Sequence, residues 1–202
     1  MRAIIFDMDG TLLQSMAVDS ELFERSIRDV LGSVRFRQSY NSYLNVTDRG
    51  IVEELMADND FTPDANKVGS VRDTFVRALS SHIETSGPFK EVRGAAKFLE
   101  QLSIDADTRV AIATGCWQKS AMLKLRSSGV DMTAIPIATC DDSAARTEIM
   151  QIALERFGED FDSVTYFGDA QWDVDACRSL GWNFIAVGSD LCGIESYEEI
   201  SF

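Results

Sequence analysis

The run Ile4-Ile5-Phe6 constrains the fold more than any other stretch, because it leads almost without a polar break into Asp7-Met8-Asp9-Gly10-Thr11. A continuously apolar strand suits a parallel sheet covered on both faces, and residues 2–8 fit that description. In extended backbone, residues two apart point the same way. Asp7 and Asp9 are therefore expected to face one site at the end of that strand. Unpaired carboxylates do not persist in apolar surroundings; they neutralise, pair or bind metal. The pair indicates a cation site, an acid/base site, or both.

The next block, residues 14–86, reads as helical throughout. Val18, Leu22, Ile27 and Leu31 fall near helical spacing, and Gly32 follows as a stop. Thr47 is the expected cap of a short helix with Ile51, Val52, Leu55 and Met56 inward. Thr62-Pro63 is read as a cap with proline in the first turn, ahead of the seam Val71, Phe75, Leu79 and Ile83. Gly87-Pro88 closes the block. From residue 89 helices and strands alternate. Helices are expected over about 93–103, 117–128, 144–157 and 173–180. Strands are expected at Arg109–Gly115, Ala134–Thr139, Val164–Asp169 and Phe184–Val187. Such alternation implies right-handed crossovers and a parallel sheet. The expected fold is α/β: a Rossmann-like, three-layer parallel-sheet core (1–13 and 87–202) with an all-helical insertion (14–86).

The chain has 202 residues, 45% of them hydrophobic, enough for a real core. Its formal net charge of −14 argues against nucleic acid or an anionic membrane as a partner, since both require clustered Lys and Arg. No apolar run approaches the length of a membrane span. The four cysteines lack CxxC spacing, and the only histidine is His82. A zinc site is therefore not expected, and free thiols in a reducing cytoplasm are the simpler reading.

Ligands of open α/β sheets bind at the carboxyl ends of strands. Three such ends carry polar residues: Asp7/Asp9, Thr114-Gly115, and Asp169 with Asp173 four residues on. Asp-Met-Asp-Gly-Thr, Ala-Thr-Gly and Gly-Asp-x-x-x-Asp in this order resemble the haloacid dehalogenase superfamily, in its phosphatase branch that includes phosphoglycolate phosphatases. The resemblance covers the whole chain, with 14–86 where that family inserts a cap domain. Asn45-Val46-Thr47-Asp48 also looks like a segment of such caps. Gln14-Ser15 departs from the Asp-Ser common in related phosphatases.

The resemblance implies a set of roles. Asp7 is the nucleophile that forms an aspartyl-phosphate, and Asp9 the general acid/base. Thr114 and Gly115 hold phosphate oxygens. Asp169 binds Mg²⁺ with Asp7 and the Asp9 carbonyl, and Asp173 is a further ligand or orients one. Mg²⁺ suits such oxygen donors and offsets charge in phosphoryl transfer. The family also needs a cation between its second and third motifs. Its usual Lys-Pro is missing here, and Arg146 is the best candidate, with Asp142 as an alternative surface partner and Lys119 and Lys124 as fallbacks. A positive charge at a helix start is disfavoured by the macrodipole, so an anionic partner is expected there. Lys67 is the only lysine of the insertion and lies on a polar face, which disfavours Schiff-base chemistry. His82 reads as a surface or hinge residue. Trp117 and Trp172 are candidates for pocket walls or packing.

The expected activity is that of a Mg²⁺-dependent phosphatase acting on a small phosphorylated metabolite. The alternatives are a phosphomutase of the same family and a non-catalytic phosphate-binding module.

Overall fold

The computed structural model describes residues 1–130 and 135–200. These form a five-stranded parallel sheet of order β3-β2-β1-β4-β5. The strands are β1 (Arg2–Phe6), β2 (Thr108–Ala113), β3 (Ile137–Ala138), β4 (Ser163–Gly168) and β5 (Asn183–Ala186). β1 lies in the centre, with Phe6 in register with Ile112 on one side and Phe167 on the other. Chain order reverses direction at β1, so a crevice opens beyond its carboxyl end. The register brings Asp7, Thr114 and Asp169 to that crevice from three neighbouring strands.

β1 is apolar throughout because both its faces are covered. Ile4, Phe6, Val110, Ile112 and Phe167 join one core with Phe98, Leu99 and Leu102 of α4 (Ala95–Ser103). Ile5, Ala111, Ala113 and Tyr166 join a second core with α6 (Arg146–Glu155) and α7 (Gln171–Leu180). This split follows the two-residue period of a strand.

Between β1 and α4 come three helices: α1 (Met16–Leu31), α2 (Asp48–Asp58) and α3 (Ala65–Ser86). Leu22, Ile27 and Leu31 of α1 are buried, and the chain leaves the helix at Gly32 with φ of 80°. The Thr47 hydroxyl accepts the Gly50 N–H at 3.1 Å and caps α2 as expected. The cap of α3 is Asp64, not Thr62. Its carboxylate accepts from Asn66 N at 2.9 Å and Lys67 N at 3.4 Å. A carboxylate satisfies and charge-complements the free amides of a first turn better than a hydroxyl. Phe23 of α1 and Phe75 of α3 meet edge to face at 5.5 Å, and both rings pack on the buried Trp117. Trp117 precedes α5 (Gln118–Ser128), so this aromatic trio joins the inserted helices to the sheet-bearing part.

Other boundaries differ by a few residues. β1 stops at Phe6, because the chain turns at Gly10. α7 begins at Gln171, two residues before Asp173, whose carboxylate accepts the Ala170 N–H at 3.3 Å and so fixes the helix start. In the segment read as the strand Ala134–Thr139, only Ile137–Ala138 pairs with β2; Ala134 itself lies outside the described residues.

Phe75 is fully buried at the junction of α1, α3 and α5. Phe75→Ala is expected to lower unfolding free energy by about 3–5 kcal/mol, the usual cost of truncating a core phenylalanine. Urea denaturation followed by tryptophan fluorescence measures it.

Candidate active site

A cleft opens at the carboxyl end of β1. Asp7, Asp9, Thr114, Gly115, Cys116, Arg146 and Trp172 line it from the sheet side. Met16, Asp19, Ser20, Phe23, Tyr40 and the Val46–Asp48 segment line it from the inserted helices. Thr114, Gly115 and Arg146 therefore meet Asp7 and Asp9 as the sequence reading expected. Asp169 and Asp173 lie directly behind Asp7: one carboxylate oxygen from each of Asp7, Asp169 and Asp173 falls within 4.8 Å of the others.

Arg146 holds this cluster together. It is the first residue of α6, and its Nη1 lies 3.0 Å from Asp173 Oδ1 and 3.6 Å from Asp7 Oδ1. The expected anionic partners are thus present, and Asp142 pairs with Arg156 instead. Burial alone would favour a neutral guanidine, but Asp173 and Asp7 outweigh it and raise the Arg146 pKa. Burial and the neighbouring carboxylates push Asp7 well above the usual range, against the pull of Arg146. Asp169 is pushed up to about 7, by burial first and then by Asp173.

Two glycines are required by close approach. A Cβ at Gly10, where φ is +77°, would lie 2.0 Å from Asp169 Oδ2. A Cβ at Gly115 would lie 2.7 Å from Arg146 Nη2 and 3.1 Å from the Val46 carbonyl. The Thr114 hydroxyl accepts the Cys116 N–H at 3.2 Å, which sets the turn into α5.

The segment before α2 docks on two of these loops. Asp48 N–H donates to the Gly115 carbonyl at 2.8 Å, and Asp48 Oδ2 accepts the Trp117 N–H at 3.0 Å. The Thr47 hydroxyl donates to Ala144 O at 2.9 Å, and Arg146 Nη2 to Val46 O at 3.1 Å.

Asp9 belongs to a different cluster. Lys124 of α5 is fully buried, with Nζ 2.7 and 2.6 Å from the two Asp9 carboxylate oxygens and in contact with Asp19 of α1. The Ser15 hydroxyl and the Cys116 thiol also donate to Asp9, the latter at 2.9 Å. Burial raises the Asp9 pKa, but Lys124 and these hydrogen bonds outweigh it and hold the carboxyl below its usual range. Asp19 is pushed up to about 6, by burial first. Burial pushes the Cys116 thiol far up, so it is no nucleophile.

In the sequence Lys124 is only a fallback for the Arg146 position, Asp48 enters only within the cap-like segment Asn45-Val46-Thr47-Asp48, and Asp19 is not singled out. One signal existed: Lys124 lies between Ala121 and Leu125 on the inward face of its helix, and Asp19 stands four residues before Phe23 on the inward face of α1. Lys119 points outward, near Asp73 at 3.8 Å. His82 stacks on Phe89, Trp117 is packing, and Trp172 is a wall of the cleft.

The Asp7, Asp169 and Asp173 set fits a hard divalent cation. Its donors are carboxylate oxygens, and buried Asp169 Oδ1 has no hydrogen-bond partner among the described residues. The other cluster, Asp9, Asp19 and Cys116, already surrounds the Lys124 ammonium.

The molecule is thus a parallel α/β sheet with an acidic crevice at its switch point. The haloacid dehalogenase-like hydrolase profile matches residues 4–187, and the chain belongs to that family. No curated protein sequence matches it significantly. Among solved structures it is similar to a hydrolase from Pseudomonas syringae, with 20% identity, a TM-score of 0.73, and 93% of this chain and 84% of that chain covered. CbbY from Rhodobacter sphaeroides, in complex with phosphate, gives 19% identity, a TM-score of 0.71, and coverage of 98% and 89%. β-Phosphoglucomutase from Clostridium difficile gives 14% identity, a TM-score of 0.72, and coverage of 93% and 84%. Among the described residues no helix is long and apolar enough to cross a membrane.

A carboxyl must lose its proton to ligate a cation. With Asp169 near 7, it is neutral below that pH and ionised above it. Mg²⁺ affinity is therefore expected to rise from pH 6 to pH 8, by up to about tenfold per pH unit below 7. Calorimetric titration measures it, and Asp169→Asn should weaken binding and flatten the rise.

Proposed function

We propose that the chain is a Mg²⁺-dependent phosphatase that hydrolyses a small phosphate monoester through an aspartyl-phosphate on Asp7. We further propose that residues 1–13 and 87–202 act as the catalytic core and 14–86 as a cap over it. The observation that carries the reading is the pairing of Arg146 with Asp7 and Asp173 beside the partnerless Asp169 oxygen. CbbY, of similar fold, was solved with phosphate.

In this reading Asp7, Asp169, Asp173 and the Asp9 carbonyl would hold Mg²⁺, which supplies positive charge for a phosphate dianion otherwise repelled by the carboxylates. Arg146 orients the Asp7 carboxylate and offers positive charge toward the transferred phosphoryl group. The Thr114 hydroxyl and Gly115 amide hold phosphate oxygens in the turn before α5. Asp9, a carboxylate at rest, takes up a proton as the substrate enters, gives it to the leaving oxygen and later takes one from the attacking water. The docked Val46–Asp48 segment restricts water in the cleft, which also suits a phosphomutase. The product distinguishes the two: free phosphate, or an isomerised sugar phosphate.

A panel of phosphomonoesters assayed for phosphate release with Mg²⁺ tests the activity. Asp7→Asn and EDTA should each abolish it, whereas full activity of Asp7→Asn would exclude an aspartyl-phosphate. Arg146→Ala should lower kcat by about 10²–10³-fold, the usual cost of losing one transition-state donor, with Lys restoring part of it.

A further inference from the structure

Lys124 occupies a costly position. The inward face of α5 comprises Ser120, Ala121, Lys124 and Leu125, and an aliphatic residue at 124 would bury without penalty. A buried ammonium is tolerated only with compensating charge and hydrogen bonds. Lys124 has both, between Asp9 and Asp19, with Cys116 Sγ at 3.3 Å. Asp9 and Lys124 are separated by 115 residues, and Lys124 and Asp19 by 105. The ammonium therefore ties the loop after β1 to both α5 and the first inserted helix.

The four contacts of the Asp9 carboxylate are unequal. Oδ1 accepts from Ser15 and Lys124, Oδ2 from Cys116 and Lys124. An ionised carboxylate has about four lone-pair sites, so these donors fill it. The thiol is by far the weakest donor, and Cys116 and Asp9 both line the cleft. A leaving oxygen entering the cleft can displace the thiol from Oδ2 without disturbing the ammonium.

We propose that Lys124, anchored by Asp19, is the positioning residue for Asp9: it fixes the carboxyl group so that Oδ2, on the side facing Cys116, takes up a proton from solvent as the substrate enters and hands it to the leaving oxygen as the P–O bond breaks, returning Asp9 to the carboxylate. This rests on the phosphatase reading above, with Asp9 as acid/base. Lys124 does not line the cleft and touches no substrate atom. It acts through Asp9. Small errors in the placement of a proton donor are costly in rate, so the effect should appear in kcat.

The test uses the dependence on leaving group. Wild type and Lys124→Met, both loaded with Mg²⁺, are compared in first-turnover release of alcohol from p-nitrophenyl phosphate and from a primary alkyl phosphate such as glycerol phosphate. p-Nitrophenolate leaves without a proton; an alkoxide does not. Lys124→Met is expected to keep the p-nitrophenolate burst within about threefold while slowing the alkyl ester by about 100-fold or more, the range for losing a positioned acid. Asp19→Asn, which keeps the Lys124–Asp9 pair, should show the same selectivity with a smaller loss, and it decides the matter if Lys124→Met does not fold. Equal slowing of both substrates in a variant that melts as wild type, or a change confined to KM, overturns the positioning role. Wild type that releases neither alcohol would instead overturn the phosphatase reading itself.

Discussion

Two buried cations, each between two carboxylates, carry the rest of this structure. Arg146 lies with Asp7 and Asp173, and Lys124 with Asp9 and Asp19. Six acidic residues lie in or directly behind one cleft: Asp7, Asp9, Asp19, Asp48, Asp169 and Asp173. Without internal cations, desolvation and mutual repulsion would drive most of them to the neutral form. The upward push on Asp7, Asp48 and Asp169 shows that pressure, and the depressed Asp9 shows where it has been overcome. The first motif thus supplies two carboxylates, and the fold gives each its own cation from a different helix.

That division depends on the sheet. Because β1 is central and chain order reverses there, β2 delivers Thr114 and α5 on one side while β4 delivers Asp169 on the other. Arg146 comes from the start of α6, which packs on the face of the sheet lined by Ile5, Ala111 and Tyr166. Its placement at a helix N-terminus opposes the macrodipole, and Asp173 and Asp7 compensate. The inserted helices take part as well. Val46, Thr47 and Asp48 hydrogen-bond to residues 115, 117, 144 and 146, and Asp19 completes the Lys124 site. The insertion therefore contributes charge to the site in addition to lining the cleft.

Much of this was legible in the sequence, for identifiable reasons. Continuous apolar runs reported the buried strands, and Gly32 and Gly87 marked helix ends through backbone geometry that other residues resist. Strand-end carboxylates reported the site, since such groups are rarely left in an apolar setting without purpose. Arg146 was the expected cation because the family resemblance calls for one between the second and third motifs, and its place against the helix dipole agreed with an anionic partner. Lys124 was not assigned, because its inward spacing alone does not say which carboxylates it will face. Asp19 and Asp48 were given no role because each reads as an ordinary acidic residue in the first turn of an exposed helix. The error at Thr62 was of another kind, a competition between adjacent capping residues that the better acceptor, Asp64, wins.

The charge arrangement also bears on the order of binding. Arg146 and Lys124 are both committed to carboxylates, and neither is a free cation waiting for an anion. Even with both counted, the cleft and the cluster behind it hold more potential negative charge than positive. A phosphate dianion entering such a space meets net repulsion unless protons or a divalent cation first neutralise the Asp7, Asp169 and Asp173 group. Protons would do so only by disabling Asp7 in its proposed role as nucleophile, because the neutral acid does not attack. A hard cation does so while leaving Asp7 ionised and gives the unpartnered Asp169 oxygen a role. In the proposed phosphatase, the same electrostatics that require cations to hold the fold's acidic crevice together therefore favour cation binding ahead of the phosphorylated substrate.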